Sequence, residues 1–364
     1  AQTDQRTVLG GQAYQTWVTE LDGDRVWLNT LGIQWRQDQM RVGLGDTTQR
    51  QWLSTVRDDQ VRQSMLGVYG QSEMHWNPWL RTIAGLRADQ LSASVTSLTQ
   101  AANSGNAGAT KLSPKGSVIV GPWQRTELFF NAGLGIHSND ARGMTARIDP
   151  RTGQAIDRVP ALVASRGQEI GLKSEAISNL QTSLAWWRLH FDSELVYRAD
   201  TGDTQAGRAS QRSGIEWGNL WTPTRQVSMQ LNMAWTQARY VDPLSVGPYV
   251  VNAPQRVAHL NLMLKNLGPW SGSIGARYIG SAPLATDNSV RSPAIISTQM
   301  RVAHQVSDDL TVALDVLNLT DRKNNDMAYF YTSRVPGEPV TGVDGLLVHP
   351  ALPRTVRLSA RLQF

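Results

Sequence analysis

The segment VRLSARLQF, residues 356–364, decides the fold class. Val356, Leu358, Ala360, Leu362 and Phe364 fall on one face of an extended chain, and Arg357, Ser359, Arg361 and Gln363 fall on the other. Side chains of a strand point alternately to its two faces, so this is a strand with one apolar and one polar side. The pattern recurs upstream. In 228–235, Met229, Leu231, Met233 and Trp235 oppose Ser228, Gln230, Asn232 and Ala234. In 127–136, Leu128, Phe130, Ala132, Leu134 and Ile136 oppose Glu127, Phe129, Asn131, Gly133 and Gly135. A soluble β-sandwich also alternates, so the pattern by itself leaves two architectures open.

The connections choose between them. The alternation predicts about fifteen strands, at 7–20, 25–38, 61–76, 79–96, 115–121, 124–137, 168–177, 179–198, 211–221, 225–240, 255–266, 270–280, 292–306, 309–319 and 353–364. Short turns at 21–24, 77–78, 121–122, 178, 222–223, 268–269 and 307–308 alternate with longer loops at 39–60, 97–114, 138–167, 199–210, 241–254, 281–291 and 320–352. A transmembrane barrel joins its strands in this way, by short turns on the periplasmic side and long loops outside. Trp76, Trp79, Trp123, Trp221 and Trp270 all flank the short turns, where an indole suits the headgroup layer. The fold class expected is all-β, a transmembrane antiparallel β-barrel. Counting back from the last strand, the strand at 7–20 also runs towards the turn side. A barrel with both ends periplasmic then needs at least one more strand upstream.

Composition agrees. No stretch approaches the roughly 20 consecutive apolar residues of a membrane helix, yet a barrel strand shows lipid only every second residue, so its hydropathy stays low. The mean hydropathy is −0.33. Absence of cysteine suits an oxidising compartment. The net charge of +5 comes from 35 Lys and Arg scattered among 30 Asp and Glu, without a basic run, which argues against a nucleic-acid partner. No secretory leader opens AQTDQRTVLGG, as expected of a processed or truncated chain.

Several separated blocks carry a resemblance. These are Asp315-Val316-Leu317-Asn318-Leu319-Thr320-Asp321-Arg322, then Pro353-Arg354-Thr355-Val356 through Phe364, and the block Trp79–Asp89. Two loop elements join them, Gly135-Ile136-His137-Ser138-Asn139-Asp140-Ala141-Arg142-Gly143 and Tyr329-Phe330-Tyr331-Thr332-Ser333-Arg334, together with Asp287–Ser292. In all of them the chain resembles TonB-dependent receptors, and in the HSNDARG element, Asp287–Ser292 and Tyr329–Arg334 one proteobacterial branch of them. The resemblance implies that residues 1–364 are the C-terminal part of a barrel of about 22 strands. The N-terminal plug, the first strands and the segment that meets TonB would lie outside it. It further implies a Gram-negative outer membrane, lipid as surroundings, energised uptake of a small-molecule substrate such as a metal chelate, and recognition of the last strand, ending at Phe364, by the barrel assembly machinery. A passive porin is the alternative from another class, and a soluble β-rich binding module a third.

The residues point to no catalytic constellation, resident metal or cofactor. The six histidines are dispersed, and no phosphate loop or nucleophile elbow is present. His190, Asp192 and Glu194 read as one inward face, open to a metal or acid–base reading and to plain polar lining. Arg87 and Asp89 read as lumen charges. The candidate ligand-binding residues are His137, Asn139, Asp140 and Arg142 in the loop after 124–137. Arg291, Arg334, Glu338 and His349 are candidates on other loops. Arginine grips a carboxylate or phosphate with paired hydrogen bonds, and asparagine adds a donor and an acceptor. The competing reading is that Asp140 pairs with Arg142 to shape the loop.

Overall fold

The computed structural model describes residues 1–198, 203–242 and 246–363. Phe364 lies outside them, as do parts of the loops expected at 199–210 and 241–254. The strands are β1 (Gln2–Glu20), β2 (Val26–Thr48), β3 (Gln51–Asn77), β4 (Leu80–Ser97), β5 (Gly105–Trp123), β6 (Thr126–Ser138), β7 (Leu162–Ser174) and β8 (Leu180–Phe191). There follow β9 (Leu195–Arg198), β10 (Asp203–Ala206), β11 (Ser210–Trp221), β12 (Val227–Tyr240), β13 (Arg256–Leu267) and β14 (Trp270–Ile279). The last are β15 (Ile295–Gln305), β16 (Leu310–Leu317), β17 (Asn325–Ser333), β18 (Val343–Pro350) and β19 (Thr355–Leu362). One sheet of 15 strands takes them in chain order, leaving out two hairpins, β9–β10 and β17–β18. Every expected strand is therefore a strand of this sheet, and each register described in it is antiparallel.

Alternation sorts the side chains as expected. On β2, Leu31, Ile33 and Trp35 are exposed, while Gln34 and Arg36 occupy the opposite face. Leu128 and Phe130 on β6, and Val356, Leu358 and Leu362 on β19, are exposed in the same manner. Continuous exposed apolar surface of this kind marks contact with lipid or protein. The tryptophans beside the short turns, Trp76, Trp79, Trp123, Trp221 and Trp270, are all exposed, and Trp17 and Trp27 join them near the first turn.

Several boundaries move. The loops expected at 39–60 and 97–114 are mostly strand: β2 and β3 run on to a turn at Gln49-Arg50, and β5 begins at Gly105. Backbone pairing such as Met40↔Val61 and Val42↔Asp59 carries the ladder through a stretch where the apolar residues Met40, Val42 and Leu44 share the face of Gln34 and Arg36, while the other face carries Arg41, Gly43 and Gly45, so no apolar lipid-side alternation reports it. The turn expected at Gly121-Pro122 lies at Gln124-Arg125. Both Gln-Arg turns hold two consecutive residues at positive φ, 47° and 66° in the first and 49° and 60° in the second. Primed hairpin turns need this conformation, and it is usually supplied by Asn-Gly. The strand expected to reach 198 stops at Phe191, and the loop 320–352 contains β17–β18.

The chain divides into two compact units. The first is Ala1–Val120, Phe129–Gln168 and Leu189–Ser210; the second is Gly121–Leu128, Glu169–Arg188 and Gln211–Phe364.

Candidate functional site

In the first unit, register builds two zones on the inner face of β2–β5. Met40 lies across from Val61, which lies across from Val95, and Met65 lies across from Leu91. With Ala93, Ala107 and Ala109 they form an apolar bay. The loop 139–161 folds onto it through the short helix α1 (Ala141–Thr145), whose Ala141 and Met144 join Val159 and Leu162 in one buried cluster. This part of the inner wall is apolar because a loop, and not water, covers it.

The sequence candidates hold this loop together. Asp140 caps α1, accepting from the Arg142 backbone N–H at 2.9 Å. The same carboxylate takes the Arg142 side chain through Nη2 at 2.6 Å and Nε at 3.0 Å. Burial pushes the Asp140 carboxyl up, but the hydrogen bond and charge of Arg142, aided by Arg57, overcome this and hold it below the usual carboxylate range. Asn139 is buried and donates through Nδ2 to the Pro160 carbonyl at 2.6 Å, and its backbone N–H donates to Ala161 at 3.2 Å. His137 packs against Phe191 with ring centroids 6.2 Å apart.

Sequence reading missed the residues that complete the arrangement. Buried Asn103 accepts from the Arg147 and Ile148 N–H groups at 2.8 and 3.0 Å and so ties a neighbouring loop to this one. Arg57 and Asp59 form a buried ion pair. Arg36 pairs with Asp38, and Arg6 with Asp4. Arg87 and Asp89, which the sequence already marked as lumen charges, pair with each other, and Arg87 donates to Gln34 at 2.8 Å. All these pairs are two residues apart, the spacing that puts both charges on one strand face, and that signal was readable. Arg36, Arg6, Asp38, Asp4 and the start of α1 line a cavity of about 470 Å³.

His190 is corrected. Its strand exposes Leu184 and Trp186 on the outward side, and His190 shares their parity. A strand continuing to 198 would carry Asp192 and Glu194 as well, whereas it ends at Phe191 and leaves both beyond it. His190 lies 3.4 Å from Asp192, and Glu194 instead accepts from the Ser210 hydroxyl.

In the second unit, Arg291 is spent on its own loop. Its Nε donates to Ser281 Oγ at 2.9 Å, Nη2 to the Ser281 carbonyl at 2.8 Å, and Nη1 to Asn288. Asp287 accepts from the Ser289 backbone and hydroxyl, which hold it below the usual range. Arg334 donates to the Glu338 carbonyl at 3.3 Å, and the Glu338 carboxylate accepts from the Val335 N–H at 2.8 Å. His349 is exposed, 4.0 Å from Asp326. A polar inner wall of Glu127, Lys173, Gln181, Ser183, Gln230 and Asn232 bounds a cavity of about 650 Å³. These groups offer hydrogen bonds and charge to a solute. Among the described residues no group of three or more His, Cys, Asp or Glu is placed to hold a metal ion.

Known proteins share this architecture. A family model described as "TonB dependent receptor-like, beta-barrel" matches residues 1–319. The closed form of the ferric-catecholate import receptor Fiu from E. coli K12 superposes with a TM-score of 0.76 at 15% identity, over 99% of this chain and 55% of that one. The siderophore receptor PiuA from Acinetobacter baumannii gives 0.75 at 14% identity, over 99% and 56%. The unliganded ferric citrate transporter FecA gives 0.72 at 15%, over 100% and 55%. The chain thus spans a little over half the length of these structures. No curated protein sequence matches it.

Proposed function

Since the chain belongs to the TonB-dependent receptor-like β-barrel family, we propose that it forms wall and loops of a Gram-negative outer-membrane receptor for energised uptake of a scarce solute. The observation that carries the reading is the pairing of an exposed apolar face, as at Leu31, Ile33 and Trp35, with a polar and charged inner face, as at Gln34, Arg36 and Asp38, within a sheet of the family's fold. Lipid would take the first and a solute pathway the second. A metal chelate is the first substrate to try, because the similar structures include receptors for ferric catecholates, siderophores and ferric citrate. The TonB complex and the barrel assembly machinery are the partners proposed with it. We place the receiving surface on the loops that carry His137, Asn139, Asp140 and Arg142 and on those that carry Arg291, Arg334, Glu338 and His349.

The test is uptake of radiolabelled iron from a panel of chelates in a strain lacking the gene, complemented or not, with and without TonB. Uptake that needs both the gene and TonB is expected. Permeation that persists without TonB makes the protein a passive pore and overturns the reading. Arg142→Ala and Arg334→Ala, made in the whole receptor, separate two roles for the loops. Weaker substrate binding supports contact. Unchanged binding with faster loop proteolysis assigns both residues to loop shape.

A further inference from the structure

The arginines nominated by sequence are committed to their own loops, but two others are not. Arg36 uses only Nε, which sits 3.1 Å from both oxygens of Asp38. A guanidinium has five N–H donors, so the terminal donors of Arg36 have no protein partner among the described residues. Asp38 is 6% accessible and Arg36 58%. A buried carboxylate therefore steadies the guanidinium from behind while its terminal edge meets the cavity. Arg6 lines the same cavity, donates to Asp4 through Nη2 at 2.8 Å and keeps Nη1 and Nε unused. Gln63 and Thr3 also line the cavity as further groups for hydrogen bonding, with Met40 and Met65 as apolar surface. The cavity of about 470 Å³ suits a small organic solute or one arm of a larger one.

We propose that Arg36, with Arg6 on the same cavity wall, is a binding fork for an oxyanion group, a carboxylate or phosphate, of the transported solute. This rests on the reading of the protein as a solute receptor. Two parallel N–H donors of a guanidinium match the two oxygens of such a group, and anchoring by Asp38 reduces the freedom lost on binding. The arginines lining the cavity are each matched by an aspartate two residues away, so the wall has little net charge. Recognition there is by the placing of donors and not by general attraction of anions.

The experiment is calorimetric titration of the full-length receptor in detergent micelles with two probes, inorganic phosphate and the tricarboxylate tricarballylate. Saturable binding of at least one probe is expected. It should weaken about tenfold or more in Arg36→Gln, for loss of roughly one bidentate ionic contact. Arg6→Gln should weaken it less. Arg36→Lys keeps charge and fold but not the fork, and should bind several-fold more weakly. Arg25→Gln, from an exposed turn where it donates to the Asp22 carbonyl, is the control expected to leave binding unchanged. No saturable binding to wild type, or equal binding in Arg36→Gln and wild type, overturns the proposal. So does a lowered melting temperature in Arg36→Gln with no probe effect, since a carboxylate of the polypeptide would then occupy the fork. Uptake that needs TonB but shows no probe binding sinks this inference alone. Probe binding without TonB-dependent uptake sinks the function proposed above and leaves the fork standing.

Discussion

Asp140 serves Arg142 twice, as helix cap and as counter-ion, and the double use ties its charge to the loop's fold. The carboxyl is held below its ordinary range in the folded protein, so its stabilising contribution is complete above the unfolded value of about 3.9 and is lost as pH falls through the folded one. The loop 139–161 should stay docked at neutral pH and loosen only in acid. Asp140→Asn retains a cap acceptor but leaves Arg142 buried without this carboxylate. Removing one member of a buried pair costs roughly 3–5 kcal/mol. The expected result is faster tryptic cleavage after Arg142 and Arg147 at neutral pH, read by mass spectrometry; cleavage at the wild-type rate would contradict the cap. Sequence alone offered the Asp-x-Arg spacing and hence the capping alternative. It could not show that α1 turns inwards, because the bay that receives Met144 is assembled from three strands whose register brings Val61, Leu91 and Ala109 together.

At the level of elements, what was legible is what lipid dictates. Strands such as 228–235 must present apolar residues to the bilayer at every second position, and that constraint writes itself into the sequence. In the upper parts of β2 and β3 the short alternation Met40, Val42, Leu44 gives way to Gly45-Asp46-Thr47-Thr48, and ion pairs such as Arg41–Asp58 occupy the other face, so the stretch reads as loop although backbone hydrogen bonds hold it as strand. Their turn at Gln49-Arg50 lacks the glycine or asparagine that would have announced it. Paired substitutions test the period where it was read. Leu231 belongs to the apolar face of β12, and Gln230 lines the inner cavity of its unit. Arginine at the lipid midplane costs roughly 2–4 kcal/mol, whereas an inner wall tolerates it. Leu231→Arg should therefore lower folded protein in the membrane, measured by heat-modifiable mobility, far more than Gln230→Arg. Equal losses would put the register of β12 one residue out.

For the molecule as a whole, the last strand poses the hardest assembly problem. β19 pairs with β16 from Leu310↔Leu362 to Leu317↔Thr355, bypassing the β17–β18 hairpin. It stands at one end of the sheet order, with Val356, Leu358 and Leu362 exposed. Backbone polar groups left open on such an edge cost several kcal/mol each in hydrocarbon, so a barrel must be sealed while it enters the bilayer. A machine that guides the sealing gains by gripping the strand that would otherwise be last to pair, and an aromatic side chain near its end offers a grip suited to the membrane interface. Deleting Phe364 from the full receptor should then lower its amount in isolated outer membranes several-fold while leaving refolding in detergent micelles unchanged. That combination separates delivery from intrinsic stability. If outer-membrane abundance is unaffected, Phe364 plays no part in recognition. If refolding fails as well, its contribution is to the stability of the sheet.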